Sequence, residues 1–120
     1  MLFRFRNFPV YRRSKELRRL VRNLSNSFPK PEYILKDQIT RAATSICLNI
    51  AEGSNRQSNK DKAHFLNQAL TSLEEVIAGF DLALEDEFIT QQEMQSLLVL
   101  GEDIGKQLIG FSKSLQNNLN

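Results

Sequence analysis

Little in this 120-residue chain can be cross-linked or used to hold a metal. Cysteine occurs once, as Cys47, so no intrachain disulfide can form, and the chain fits a reducing compartment. One histidine beside that cysteine leaves too few soft ligands for a structural zinc site. Five glycines and three prolines are sparse punctuation, which favours long helices over many short strands with tight turns. No uncharged run approaches the roughly 20 residues that a membrane-spanning helix needs. Arg4 and Arg6 interrupt the opening Met1-Leu2-Phe3-Arg4-Phe5-Arg6 before a signal-peptide hydrophobic region can form. A cytoplasmic location without a membrane partner is therefore expected.

What is present is ordinary globular composition with an uneven charge. Hydrophobic residues make up 41% and charged residues 25%, enough apolar material for one core at the modal size of a single domain. The net charge is only +2. Residues 1–22, however, hold eight basic side chains against the single acid Glu16, which makes that stretch +7 and the remainder −5. Such asymmetry points to an anionic partner or to self-association between unlike surfaces.

Four segments carry helical periodicity. The first spans Pro9 to about Ser27, with Val10, Leu17, Leu20, Val21, Leu24 and Phe28 on one side, and ends at Phe28-Pro29-Lys30-Pro31. The second spans Pro31 to Glu52 along Leu35, Ile39, Ala42, Ala43, Ile46 and Ile50, with Gly53 as the expected stop. The third opens at Ser58-Asn59-Lys60-Asp61, an approximate capping box, and its stripe runs from Phe65 and Leu66 to Phe80 and Leu84. Acids at Glu85-Asp86-Glu87 sit badly at a helix C-terminus and leave its end open. The fourth opens at Thr90-Gln91-Gln92-Glu93, a cleaner capping box. Met94, Leu97, Gly101, Ile104, Leu108, Phe111 and Leu115 then form a heptad seam. Short connections force antiparallel neighbours. The predicted fold is all-α, an antiparallel up-down-up-down four-helix bundle. It forms one domain over 1–120, with residues 1–8 as an N-terminal arm and 116–120 as a frayed tail.

On the first helix, Arg12, Lys15, Arg19 and Arg22 fall within about 80° of one another, nearly opposite the apolar stripe, and Arg18 borders them. A cationic ridge of this kind is often no more than a solvated face. It can also track phosphates, gaining affinity from counterion release. No helix-turn-helix, zinc finger or aromatic stacking platform accompanies it, so base-specific reading is not indicated. Arg13 projects into the apolar arc, where it would snorkel outward or pair across an interface. On the second helix, Ile34, Arg41, Leu48 and Glu52 lie away from the core stripe. Apolar residues around a possible Arg–Glu network are the pattern of a subunit contact, although scattered surface apolar residues are common. Arg13, Ile34, Arg41, Leu48 and Glu52 are accordingly the candidate oligomer contacts.

No catalytic constellation is legible. His64 lacks a nucleophile at a diagnostic spacing, and Cys47 lacks the flanking cations of an activated thiolate and reads as a small hydrophobe. Glu74-Glu75 and Glu102-Asp103 lack the Glu-x-x-His pairs of a di-iron bundle. Gly101, Gly105 and Gly110 follow no strand, so they suit close packing better than a phosphate loop. No cofactor and no metal are expected.

Gln38-Ile39-Thr40-Arg41-Ala42-Ala43-Thr44-Ser45-Ile46, followed by Asn49-Ile50-Ala51-Glu52-Gly53, resembles the signature of the four helix bundle protein family. Its members are also called 23S rRNA-intervening-sequence proteins. Phe5-Arg6-Asn7-Phe8-Pro9-Val10-Tyr11, Phe28-Pro29 and Arg56-Gln57-Ser58 resemble further segments of that pattern. The resemblance implies a cyclic homopentamer without enzymatic activity. It also implies kinship with the accessory variability determinants of diversity-generating retroelements, which bind a reverse transcriptase and nucleic acid. Within the motif, Asn49 could satisfy a backbone group, and Glu52 could pair with Arg41 or Arg56. The functional expectation is a non-enzymatic oligomeric accessory protein that holds RNA or DNA phosphates on Arg12, Lys15, Arg18, Arg19 and Arg22. The alternative is a protein-interaction scaffold, for example for a reverse transcriptase, that does not touch nucleic acid.

Overall fold

Every long apolar stripe in the sequence needs a partner face, and four helices supply them. The computed structural model describes residues 2–117, with side chains through Leu115. Its helices are α1 (Pro9–Ser25), α2 (Tyr33–Ser54), α3 (Asn59–Glu85) and α4 (Gln91–Asn117), with 3-10 turns at Arg4–Asn7 and Lys30–Glu32. They form an antiparallel four-helix bundle measuring 48 × 23 × 21 Å, in which each helix packs on two neighbours around a square. Met1 and the last three residues of the expected tail, 118–120, lie outside the described residues. Within the expected tail, α4 continues helical through Asn117.

Local chemistry sets the helix starts. Pro9 stands at the first position of α1, where its missing N–H removes no bond. Ser58 Oγ accepts from the Asp61 amide at 3.1 Å. At α4 the capping box is reciprocal: the Glu93 amide donates to Thr90 Oγ1 at 3.1 Å, and the Thr90 amide donates to Glu93 Oε1 at 2.9 Å.

The ends differ from expectation. Gly53 does not stop α2, which runs to Ser54, and no glycine takes a positive φ. Gly53 is instead buried where a Cβ would stand 3.0 Å from Phe65 Cβ, so its use is close approach to α3. The end left open by the acidic cluster is a Schellman turn. Glu87 has φ 63°, its amide donates to Leu84 O at 3.0 Å, and the Phe88 amide donates to Ala83 O at 2.8 Å. A glutamate occupies the position that usually belongs to glycine.

The core includes Leu17, Val21, Ile39, Ile46, Ile50, Val76, Phe80, Leu97, Ile104 and Leu108, each no more than 2% exposed. Two corrections apply to the sequence stripes. Phe111 is 42% exposed at the bundle end, 6.4 Å from Phe8, while Ser112 is the buried residue beside it. Ser14 and Ser25 are fully buried on α1, their hydroxyls donating to Val10 O and Arg22 O, so they need no partner helix. The tightest seam joins α2 and α3. At Gly79, an added Cβ would fall 2.5 Å from Ile39 Cγ1.

Candidate nucleic-acid interface

With Val10, Leu17 and Val21 turned inward, the opposite side of α1 must face out. Arg12, Lys15, Arg19 and Arg22 are exposed, and Arg18 is half-buried. Arg18 leans toward α2, its Nε donating to Thr44 Oγ1 at 2.9 Å. This places Arg18 and Arg22 in one open cleft with Arg41, Leu48 and Glu52 of α2. Parts of the two candidate faces read separately in the sequence therefore share a cleft, whereas Arg12, Lys15, Arg19, Arg13 and Ile34 lie outside it. Packing α2 against α1 also brings Lys36 beside Arg19 and Arg22, and the Arg4–Asn7 turn sets Arg6 beside Arg12 and Lys15. Neither Lys36 nor Arg6 is expected on the ridge from sequence. Only the α1–α2 packing and the fold of the arm place them there.

The single acid of the first helix does not neutralise the ridge. Glu16 is held by Arg13, at 2.8 Å, and Arg13 Nε donates to Asp103 of α4 at 2.7 Å. Those two bonds, Asp103 first, raise the Arg13 pKa. Asp103 is held below the usual carboxylate range by Arg13 first and by Gln107 second. Arg13, expected at a subunit contact, is thus engaged within its own chain, where it ties α1 to α4.

Of the two partners expected for Glu52, Arg56 takes the place and Arg41 does not. Arg41 pairs with Asp37 at 2.9 Å, and Glu52 pairs with Arg56 at 3.1 Å. Each is an exposed i,i+4 contact, because one turn of helix places those side chains closer than the three turns separating Arg41 from Glu52. Arg56 also lies over the Phe65 ring, 4.6 Å from its centroid. Ile34 and Leu48 stay 59% and 61% exposed, as a subunit contact would require. Asn49 satisfies the backbone one turn back, its amide donating to Ser45 O at 2.9 Å. Ser45 Oγ in turn meets Ser72 Oγ of α3 at 2.9 Å.

No reactive group stands in the cleft. Cys47 is buried, and burial pushes its thiol up, although Arg18 and Lys15 pull it down. The sequence placed no cation next to Cys47; α1 brings two near it, and burial still wins. His64 Nε2 lies 3.2 Å from the Gln68 amide nitrogen. Among the described residues, no group of three His, Cys, Asp or Glu side chains is placed to hold a metal. No helix among them is long and apolar enough to cross a membrane.

The opposite cleft, between α3 and α4, has the other sign. Leu73, Ile77, Leu84 and Met94 line it with Glu74, Asp81 and Glu102, and no cation does.

The bundle has counterparts among known proteins. Residues 6–110 match the family described as 23S rRNA-intervening sequence protein. The chain belongs to that family. A solved structure of similar shape is that of a protein of unknown function from the S23 ribosomal protein family of Bacteroides thetaiotaomicron VPI-5482. It is 31% identical, covers 87% of this chain and 98% of its own, and superposes with a TM-score of 0.81. No curated protein matches the chain. In this family member the central motif serves packing, since Ile39, Ala42, Ala43, Ile46 and Ile50 are all core residues.

Proposed function

We propose that this family member is a non-enzymatic, oligomeric accessory protein of the cytoplasm that binds the phosphates of RNA or DNA along the outer face of α1. The observation that carries this reading is the convergence of cations from three segments. Arg12, Lys15, Arg18, Arg19 and Arg22 of α1 are joined by Lys36 and Arg41 of α2 and by Arg6 of the arm. The ridge's own acid, Glu16, is occupied by Arg13.

Exposed Ile34 and Leu48 support self-association through α2, with Arg41 between them in sequence and Glu52 one turn beyond. A pentameric ring, as the resemblance implies, would repeat a weak ridge and multiply its avidity without new contacts. The same apolar pair also favours the second reading, a scaffold for a protein partner such as a reverse transcriptase of a diversity-generating retroelement.

A salt titration of RNA and DNA binding separates the two. Nucleic-acid binding predicts affinity falling steeply with salt. Arg19→Glu or Arg22→Glu should make the slope shallower by about 0.7 to 0.9 for each phosphate no longer neutralised. Absence of binding even at low salt would decide for the scaffold. Light scattering tests assembly, and a monomeric mass would contradict the ring.

A further inference from the structure

The cationic ridge holds phosphates and says nothing about bases. At its N-terminal end, however, the arm folds back and adds aromatic rings to the cations. The Arg4–Asn7 turn closes with the Arg6 amide donating to Phe3 O at 3.2 Å and the Phe8 amide to Phe5 O at 2.9 Å. Arg12 pins this turn to α1, its Nη2 donating to Asn7 Oδ1 at 3.1 Å. Phe3 then stands 60% exposed, edge-on to Phe5 with centroids 6.5 Å apart. Phe5 is edge-on to Tyr11 at 5.0 Å, and Lys15 Nζ lies 5.2 Å from the Tyr11 centroid. Phe3, Arg6, Asn7, Arg12 and Lys15 line one open hollow of about 550 Å3. The sequence showed no stacking platform because these groups are apart along the chain until the turn forms.

We infer that this hollow is a subsite for an unpaired nucleobase, which makes the preferred ligand a single-stranded stretch of nucleic acid. The inference rests on the phosphate-binding role of the ridge and adds the class of strand. An aromatic ring exposed among three cations matches the chemistry of a flexible single strand, whose phosphates meet the cations while a base lies on the ring. A duplex cannot use the ring, because its bases are already stacked on one another and their faces are closed. Phosphates alone would favour the duplex for its charge density, so any preference for single strands must come from the ring. Any base offers a π-face, so the subsite tolerates different sequences. Phe5 meets the Phe3 ring edge-on and is itself held edge-on by Tyr11, and the Arg12 bond keeps the arm from swinging away.

The test is a comparison of Phe3→Ala with the unaltered full chain, using fluorescence anisotropy with a labelled 12-nucleotide adenine-rich single strand and a duplex of the same length. Phe3→Ala should weaken the single strand at least about fivefold and leave its salt slope and the duplex affinity unchanged. Phe3→Tyr, which keeps a stacking face, should retain single-strand binding, and Phe3→Leu, which keeps only apolar bulk, should not. A 2-aminopurine in the strand should be quenched by the unaltered protein and not by Phe3→Ala. If Phe3→Ala leaves both ligands unaffected while Arg19→Glu still weakens them, the base subsite is overturned and the phosphate ridge stands. If neither ligand binds at low salt, both fall together.

Discussion

The two halves of the molecule are built alike and charged oppositely. Residues of α1 and α2 present Arg18, Arg22 and Arg41 to their shared outer cleft, whereas α3 and α4 present Glu74, Asp81 and Glu102 to theirs. Both pairs obtain their stability from the same source, an apolar stripe turned inward at helical spacing. The outer faces are therefore free to differ without consequence for the fold. What the contrast teaches is that packing constrains the inward face of each helix and leaves the charge of the outward face open. The contrast can be probed at three places: a tight apolar joint between the halves, a strained turn inside the acidic half, and an ion pair that crosses from one half to the other.

The apolar joint carries the largest expected stability effect. Gly79 of α3 lets the backbone approach Ile39 of α2 so closely that an alanine methyl would stand 2.5 Å from Ile39 Cγ1 and 2.9 Å from Cδ1. Gly79→Ala should cost about 3 kcal/mol through overpacking, the upper part of the usual range because the clash is with Cγ1 and not only with a chain tip, against a gain in helix propensity of about 1 kcal/mol. Gly110→Ala makes the opposite case. Nothing lies within 4 Å of its added Cβ, so propensity alone acts and stability should rise. Urea unfolding of both variants checks the pair. Equal effects would mean that the halves are not joined as closely as the structure shows.

The strained turn comes next. Glu87 holds φ 63° at the end of α3, a conformation that is costly for any residue with a Cβ, and it places negative charge at the negative end of a helix dipole. Glu87→Gly should stabilise the protein by about 1 kcal/mol. Glu87→Gln, which removes the charge and keeps the strain, should recover less than half of that. Thermal melts of the two variants separate strain from charge, and a glutamine as stabilising as the glycine would assign the whole cost to charge.

How far these features could be read from the sequence depends on how local they are. The four helices, the Ser58 cap and the Thr90–Glu93 capping box were legible, because periodicity and first-turn chemistry act within a few residues. The α1 ridge was legible for the same reason, since Arg12, Lys15, Arg19 and Arg22 share one helix. Gly53 misled because glycine marks a helix stop and a close contact equally well, and only the position of Phe65 decides between them. The Glu87 turn was hidden because its hydrogen-bond pattern overrides a poor residue choice. Arg6, Lys36 and Phe3 were not legible as site residues. Their places follow from how the arm folds and how α2 packs on α1, and neither leaves a spacing in the chain. Arg13 was recognised as unusual, but a helical wheel cannot say whether its partner lies in the same chain.

That partner, Asp103, sets up the smallest of the three effects. Arg13 comes from the basic helix and Asp103 from the acidic half, so their bond at 2.7 Å is where the two charge patterns touch. The pair is partly exposed, and water and salt screen much of its attraction. Its pH dependence has a definite sign. Asp103 has its folded pKa lowered, chiefly by Arg13 and then by Gln107, so the folded state binds its proton less readily than the unfolded chain. The stabilisation is therefore present above the ordinary aspartate pKa of about 3.9 and is lost as pH falls below it toward the lower folded value. Asp103→Asn should melt slightly below the unaltered protein at pH 7, and the gap should close on acidification through that region. It should also shrink with added salt at pH 7. A gap that did not narrow at all between pH 7 and about pH 2.5, well under the ordinary aspartate value, would show that Asp103 acts through packing or its bond with Gln107 and not through its charge. The two halves would then owe nothing measurable to that ion pair, leaving the apolar seam and the Ser45–Ser72 hydrogen bond to join them.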